Sequence, residues 1–212
     1  MIDNLKYNEK FGFIILHIIL GLILFYLPFL STYLGIAIVL FGTYIILSSP
    51  NYNEIIPLLF SAYIVGIEVL LRMCRSSLFW EYGKYAIIYF ILLGFYRRNK
   101  FYICIPVAAY FLFLLPSIVN LPFDSLNSWR QSVSFNLAGP ACLTITSFYM
   151  FKKQIKKDEL LNILFFSLLP IISMCVVIIL KMPDIQLYKF TPYSNPATSG
   201  GYGPNQVSTI FG

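Results

Sequence analysis

The sequence predicts an all-α fold, a polytopic bundle of transmembrane helices with about seven spans, forming one integral membrane domain over residues 1–212. Three observations carry this. Hydrophobic residues make up 58% of the chain and charged residues 11%, where an ordinary soluble domain carries about 25% charged residues; the mean hydropathy is +0.77. The apolar residues gather in runs near the length of about 20 residues that crosses a bilayer. The chain also holds 20 Phe and 16 Tyr, which suit lipid-facing surfaces and interfacial belts.

The first span is expected from Phe11 to Phe29, includes His17, and ends at Pro28 and a short turn at Ser31. Lys6 and Lys10 precede it as in a signal peptide, but no small-residue cleavage site follows, so it reads as an uncleaved helix. The second runs from Thr32 to Leu47 and is followed by a polar break, Ser48 to Asn53, containing Pro50. The third, Ile55 to Leu71, contains Glu68 and leads into a charged, aromatic loop from Arg72 to Lys84. The fourth, Tyr85 to Tyr96, is short and closes on Arg97, Arg98 and Lys100. The fifth spans Phe101 to Val119. A polar loop from Asn120 to Asn136 holds Asp124, Trp129 and Arg130. The sixth, Leu137 to Phe151, is weakly apolar and interrupted at Gly139-Pro140. Four lysines, Lys152, Lys153, Lys156 and Lys157, precede the seventh, Leu160 to Leu180. A long loop from Lys181 to Tyr202 then reaches Thr198 to Gly212, a glycine-rich turn in which Pro204 opens a helix. The sequence does not complete that helix, so the chain reads as the front part of a larger protein.

The formal charge of +6 belongs to this topology and does not indicate a nucleic-acid partner. With a cytoplasmic N-terminus, nine Lys and Arg fall in cytoplasmic segments and six in the opposite loops, counting along the full chain. The two dense clusters then lie inside, as the positive-inside rule requires. The terminal glycine-rich motif lies on the outer face. Cys74, Cys104, Cys142 and Cys175 are far apart and show neither metal-site spacing nor a disulfide framework.

Three places could carry chemistry. Glu68 and Arg72 are four apart and Arg72 and Arg75 three apart, so on a continuous helix they share one face. Two arginines at the mouth of a span form a forked donor site suited to phosphate oxygens; the alternative is a plain Glu68–Arg72 ion pair with Arg75 reaching the headgroups. In the stretch from Trp80 to Lys84, Glu81 can pair with Lys84 while Trp80 anchors the interface or stacks on a sugar. Arg130 adds a third outer cation, and Asn136 stands as an N-cap or at the start of a helix broken by Gly139-Pro140. His17 is expected to be a helix–helix hydrogen-bond partner. Asp184 is an acid without a distinguishing context. No Ser/His/Asp set, carboxylate dyad, phosphate-binding glycine loop or metal cluster occurs in the sequence.

The run Gly203-Pro204-Asn205-Gln206-Val207-Ser208, after Thr198-Ser199-Gly200-Gly201-Tyr202 and before a helix start, resembles a motif of O-antigen ligase-like membrane proteins. The loop from Arg72 to Lys84 and the run Phe135-Asn136-Leu137-Ala138-Gly139-Pro140 are similar to variants in a bacterial branch of that family. The resemblance covers the whole chain in hydropathy and these three patches in motif. It implies a glycosyltransferase, ligase or polymerase, at the periplasmic face of a bacterial inner membrane, with the N-terminus cytoplasmic and the terminal motif periplasmic. Such a protein moves a glycan from undecaprenyl diphosphate to lipid A–core, another glycan repeat or a protein, in O-antigen or surface polysaccharide biosynthesis. It uses no cofactor, nucleotide sugar or metal. By this resemblance Arg72, Arg75 and Arg130 hold the diphosphate, with Glu68, Trp80, Lys84, Asn136 and Asn205 in support. The family's large periplasmic loop, with catalytic residues, would lie beyond Gly212. The competing readings are a transporter or flippase component for lipid-linked glycans and an inactive truncated remnant.

Overall fold

A computed structural model describes residues 7–49, 53–98, 101–118, 125–182 and 199–211. Among them the secondary structure is helical throughout: α1 (Tyr7–Tyr26), α2 (Leu30–Ser48), α3 (Ile56–Met73), α4 (Tyr82–Arg98), α5 (Ile105–Leu114) with a 3-10 turn (Leu115–Ile118), α6 (Leu126–Met150), α7 (Lys157–Lys181) and α8 (Pro204–Phe211). Lys6, Pro50, Lys100, Asp124, Asp184 and Lys189 lie outside the described residues.

Local chemistry sets these boundaries. Pro28 stops α1, and the Ser31 hydroxyl donates to the Pro28 carbonyl at 2.6 Å where α2 begins. Asn53 receives the Ile55 amide on its side-chain oxygen at 2.9 Å and opens α3. The Ser125 side chain accepts from the Ser128 amide while the Ser128 side chain accepts from Ser125, a reciprocal cap that starts α6. Asp158 and Glu159 sit in the first turn of α7 and Lys181 in its last, which complements the helix dipole at both ends.

Four of the expected spans are helices long and apolar enough to cross a membrane: α1, α2, α3 and α7. Large apolar side chains such as Phe11, Leu16, Ile19 and Leu40 are turned outward from them. This is the character of a membrane protein. The other expected spans differ. α4 has 17 residues because it takes in Tyr82 to Lys84, which the sequence reading assigns to a loop. α5 has 10 residues, started by Pro106 and followed by the turn at Pro116. α6 begins at Leu126, so Trp129, Arg130 and Asn136 are helical rather than in a loop. Asn136 is therefore not an N-cap; Ser125 is. Nor is the helix broken at Gly139-Pro140, since Pro140 sits inside a continuous α6.

The described residues form two compact units. The first takes residues 7–39, 62–78, 157–182 and 199–211. In it α1 and α7 run in the same direction, with Phe13 beside Phe166 and the Ser173 hydroxyl donating to the His17 carbonyl at 2.6 Å. Gly21 lies against Ser173 and Val176, and Gly66 of α3 lies against Ser167 and Pro170. Glycines let these helices approach more closely than any side chain would. Leu24, Ile64, Ile67, Leu70, Leu169 and Val177 are buried there.

His17 Nδ1 lies 2.8 Å from the Phe13 carbonyl and Nε2 lies 3.1 Å from the Tyr63 hydroxyl. A carbonyl only accepts, so Nδ1 carries the proton and Nε2 accepts from Tyr63. The histidine is a helix–helix partner, as the sequence reading expects. In a double-mutant cycle of His17→Phe with Tyr63→Phe, measured by unfolding in micelles, the coupling is expected near 0.6 kcal/mol, the average for such bonds in membranes. Zero coupling would show that the ring and hydroxyl do not meet.

The second unit takes residues 40–49, 53–61, 79–98, 101–118 and 125–156. α4 and α6 run in the same direction, joined by Tyr85 and Ser134 at 2.8 Å near one end and by Arg98 donating to the Tyr149 carbonyl at 3.1 Å near the other. Gly94 leaves room for the Tyr149 ring and Gly42 for the Phe90 ring.

Candidate functional site

The first unit gathers polar chemistry where α3 ends. Glu68 and Arg72 are one helical turn apart, and the guanidinium meets a single carboxylate oxygen through Nη2 at 2.6 Å and Nε at 3.3 Å. The Arg72 side chain is 14% exposed. A charge at the edge of a membrane segment is stable only with a partner or water, and Glu68 provides the partner.

Arg75 does not continue that face. Helix α3 stops at Met73; the Arg75 amide then donates to the Arg72 carbonyl at 2.9 Å and the Ser76 amide to the Leu71 carbonyl at 3.0 Å. These two bonds form a Schellman cap, in which the residue turning the chain is left-handed and usually glycine. Here it is Arg75, with φ 57°. Its side chain is exposed. The expectation that Arg72 and Arg75 share a helix face is thus corrected: Arg72 faces Glu68, and Arg75 stands past the end of the helix at a strained backbone position.

The surroundings of this end are built from far along the chain. Lys181, in the last turn of α7, donates to the Met73 carbonyl at 2.7 Å and so caps a helix that has no further turn. The Ser31 hydroxyl also reaches the Cys74 carbonyl at 3.4 Å, and Thr32 accepts the Ser77 amide at 3.0 Å. The terminal glycine turn packs on the same place. Gly200 and Gly201 have φ of 67° and 81°, and a Cβ on Gly200 would stand 2.8 Å from Met73 Sδ. Ser199 donates to the Tyr202 carbonyl, and α8 follows with Val207 buried. Gly200→Ala is therefore expected to lower the melting temperature of the micelle-purified protein by about 2–6 °C, from a left-handed alanine plus the methionine contact. An unchanged melting temperature would mean that the turn does not pack on α3.

Burial pushes the Tyr202 hydroxyl above its ordinary pKa; the Arg72 charge opposes the shift and the Glu68 charge adds to it. Tyr202 thus stays neutral at physiological pH, near enough to feel the charges of Arg72 and Glu68. Burial likewise raises the Cys74 thiol, against the charge of Lys181, so Cys74 is a protonated, inert thiol.

Of the sequence candidates, Glu68, Arg72, Arg75 and Asn205 belong to this first unit, and Asn205 is exposed in the first turn of α8. Trp80, Lys84, Arg130 and Asn136 belong to the second unit. There Lys84 pairs with buried Glu81 at 2.6 Å and lies over the Phe135 ring. Trp80 is exposed beside Phe79, whose ring meets Tyr82 and Tyr85. Arg130 and Asn136 are exposed on α6. Among the described residues no group of three or more His, Cys, Asp or Glu could hold a metal ion.

Sequence reasoning passed over Lys181 and Tyr202. A lysine closing an apolar helix is a readable capping signal, whereas nothing local marks Tyr202 as the neighbour of Arg72. It also passed over Glu54, which pairs in the second unit with Arg98 at 3.3 Å and Lys153 at 3.0 Å. Comparison of the chain with protein-family models, with curated proteins and with solved structures gave no match.

Proposed function

We propose that the protein is a membrane glycosyltransferase of the O-antigen ligase or polymerase kind, acting at the periplasmic face of a bacterial inner membrane on a polyisoprenoid-diphosphate-linked glycan. One observation carries the reading: Arg75, held left-handed at the end of a membrane-length helix, keeps an exposed guanidinium where glycine would relax the chain. Backbone strain retained at such a position points to a function for its side chain. In the reaction an acceptor hydroxyl gives up its proton to solvent as its oxygen attacks the anomeric carbon, a new glycosidic bond forms, and the bond from that carbon to the diphosphate oxygen breaks. The electron pair passes to the diphosphate, and fixed cations stabilise the growing charge. Arg75 is the open donor, and Arg72, oriented by Glu68 and near Tyr202, is the second.

The second reading is a carrier for lipid-linked glycans, favoured by the buried His17–Tyr63 link within the spans, since transport uses polar positions at depth. Both are tested in a cell lacking the gene and complemented with this chain, by blotting surface polysaccharide and extracting lipid-linked glycan from each face of the membrane. Lipid-linked glycan stranded at the periplasmic face supports the transferase. Glycan held at the cytoplasmic face moves the carrier ahead. No change in either pool removes both readings.

A further inference from the structure

We propose that the second unit carries a binding site for the phosphodiester headgroup of an anionic phospholipid, where α2, α4 and α6 end. The Arg97 guanidinium donates to the carbonyl of Ser49, just past α2, at 2.6 Å. Glu54, just before α3, meets both Arg98 at 3.3 Å and Lys153 at 3.0 Å. Ser49 follows α2 and Glu54 precedes α3, two helices long and apolar enough to cross a membrane, so the proposal places both residues at a bilayer surface.

The charge in this place is unbalanced. Four cations, Arg97, Arg98, Lys152 and Lys153, stand with one carboxylate, Glu54, a net of +3 among the described residues of the cluster. Arg98 and Lys153 have side chains only 8% and 7% exposed. Both meet the same oxygen of Glu54, Oε2, and one carboxylate does not neutralise four cations. Lys152 is the edge of the site. Its backbone is left-handed, with φ 60°, and its ammonium lies 5.5 Å from the centre of the Tyr102 ring. An aromatic ring beneath a cation at an interface, beside exposed Phe101 and Ile103, suits a ligand with a charged head and an apolar tail. A soluble phosphate would use the charge but not the apolar surface.

The test is a native mass spectrometry titration of the full chain, released from micelles, with phosphatidylglycerol, phosphatidylcholine and inorganic phosphate. Phosphatidylglycerol is expected to saturate and phosphatidylcholine not to bind. Lys152→Asn tolerates the left-handed backbone and removes the charge; it should bind about fivefold more weakly, the change that corresponds to about 1 kcal/mol per cation near a membrane surface. Lys152→Arg should restore binding. Glu54→Gln should bind more tightly, since it removes the competing carboxylate, and its melting temperature should rise more than the parent's when the lipid is added. Equal binding of the two lipids, or no loss in Lys152→Asn, overturns the proposal. Displacement of phosphatidylglycerol by inorganic phosphate at similar concentration overturns the lipid assignment in favour of a soluble anion.

Discussion

Arg75→Gly is expected to reduce glycan transfer at least about 100-fold while leaving the protein as stable as before or more stable by about 1 kcal/mol. The two halves of this expectation have separate causes. Removing one preorganised donor to a charge that grows in the transition state lowers rates by about 100- to 1000-fold. Placing glycine at the left-handed residue of a Schellman cap removes a strain of roughly 1–2 kcal/mol and returns part of it as backbone entropy in the unfolded chain. Arg75 has φ 57° and its cap bonds use only backbone atoms, so the cap survives the change. Arg75→Ala loses the same cation without relaxing the strain, and it separates charge from conformation. Arg75→Lys keeps a charge but not the fork, and partial activity is expected. Arg72 is a poorer probe: its removal strands Glu68 in a membrane helix and would confound transfer with stability. Transfer assayed by polysaccharide blotting, alongside melting temperature, decides the matter. Full transfer by Arg75→Gly would sink the diphosphate role of this residue.

The parts of the fold legible in the sequence are those set by composition alone. α1, α2, α3 and α7 announce themselves as apolar runs of bilayer length, and Glu68 and Arg72 pair because a helix puts residues four apart on one face. What stayed hidden depends on partners far along the chain or on backbone turns that lack their usual residue. The end of α3 carries no Gly or Pro; an arginine takes the left-handed place, so the run of charges reads as a continuing face. α6 starts at Ser125 with a Ser–Ser reciprocal cap, where the familiar pattern has Glu or Gln, and its polar first turns read as loop. Pro140 reads as a break, yet the helix continues through it, as membrane helices allow. Lys181 reaches Met73 across 108 positions and Lys153 reaches Glu54 across 99. No local period reports such pairs.

The same distinction decides which glycines can be replaced. Gly66→Val is expected to destabilise the first unit by about 2–3 kcal/mol, the upper range for overpacking, and Gly21→Val by a similar amount. A Cβ at Gly66 would lie 2.7 Å from the Ser167 carbonyl oxygen and 2.9 Å from Pro170; at Gly21 it would lie 2.7 Å from the Ser173 carbonyl oxygen. These are backbone oxygens of α7, so relief requires moving the helix and not turning a side chain. Movement of α7 away from α3 also withdraws Lys181 from the Met73 carbonyl, so Gly66→Val should weaken the site at the end of α3 as well as the packing beneath it. Because both substitutions press on neighbouring turns of α7, their effects are expected to be non-additive in the double variant. Gly139→Ala and Gly12→Ala are the internal standards. Nothing lies within 4 Å of a Cβ at either position, and both are helical, so alanine should be neutral or stabilise by up to about 1 kcal/mol. Unfolding in micelles by all four single variants orders them. Should Gly66→Val prove as stable as Gly139→Ala, α3 does not seat against α7 at this glycine, and the lysine cap that depends on that seating fails with it.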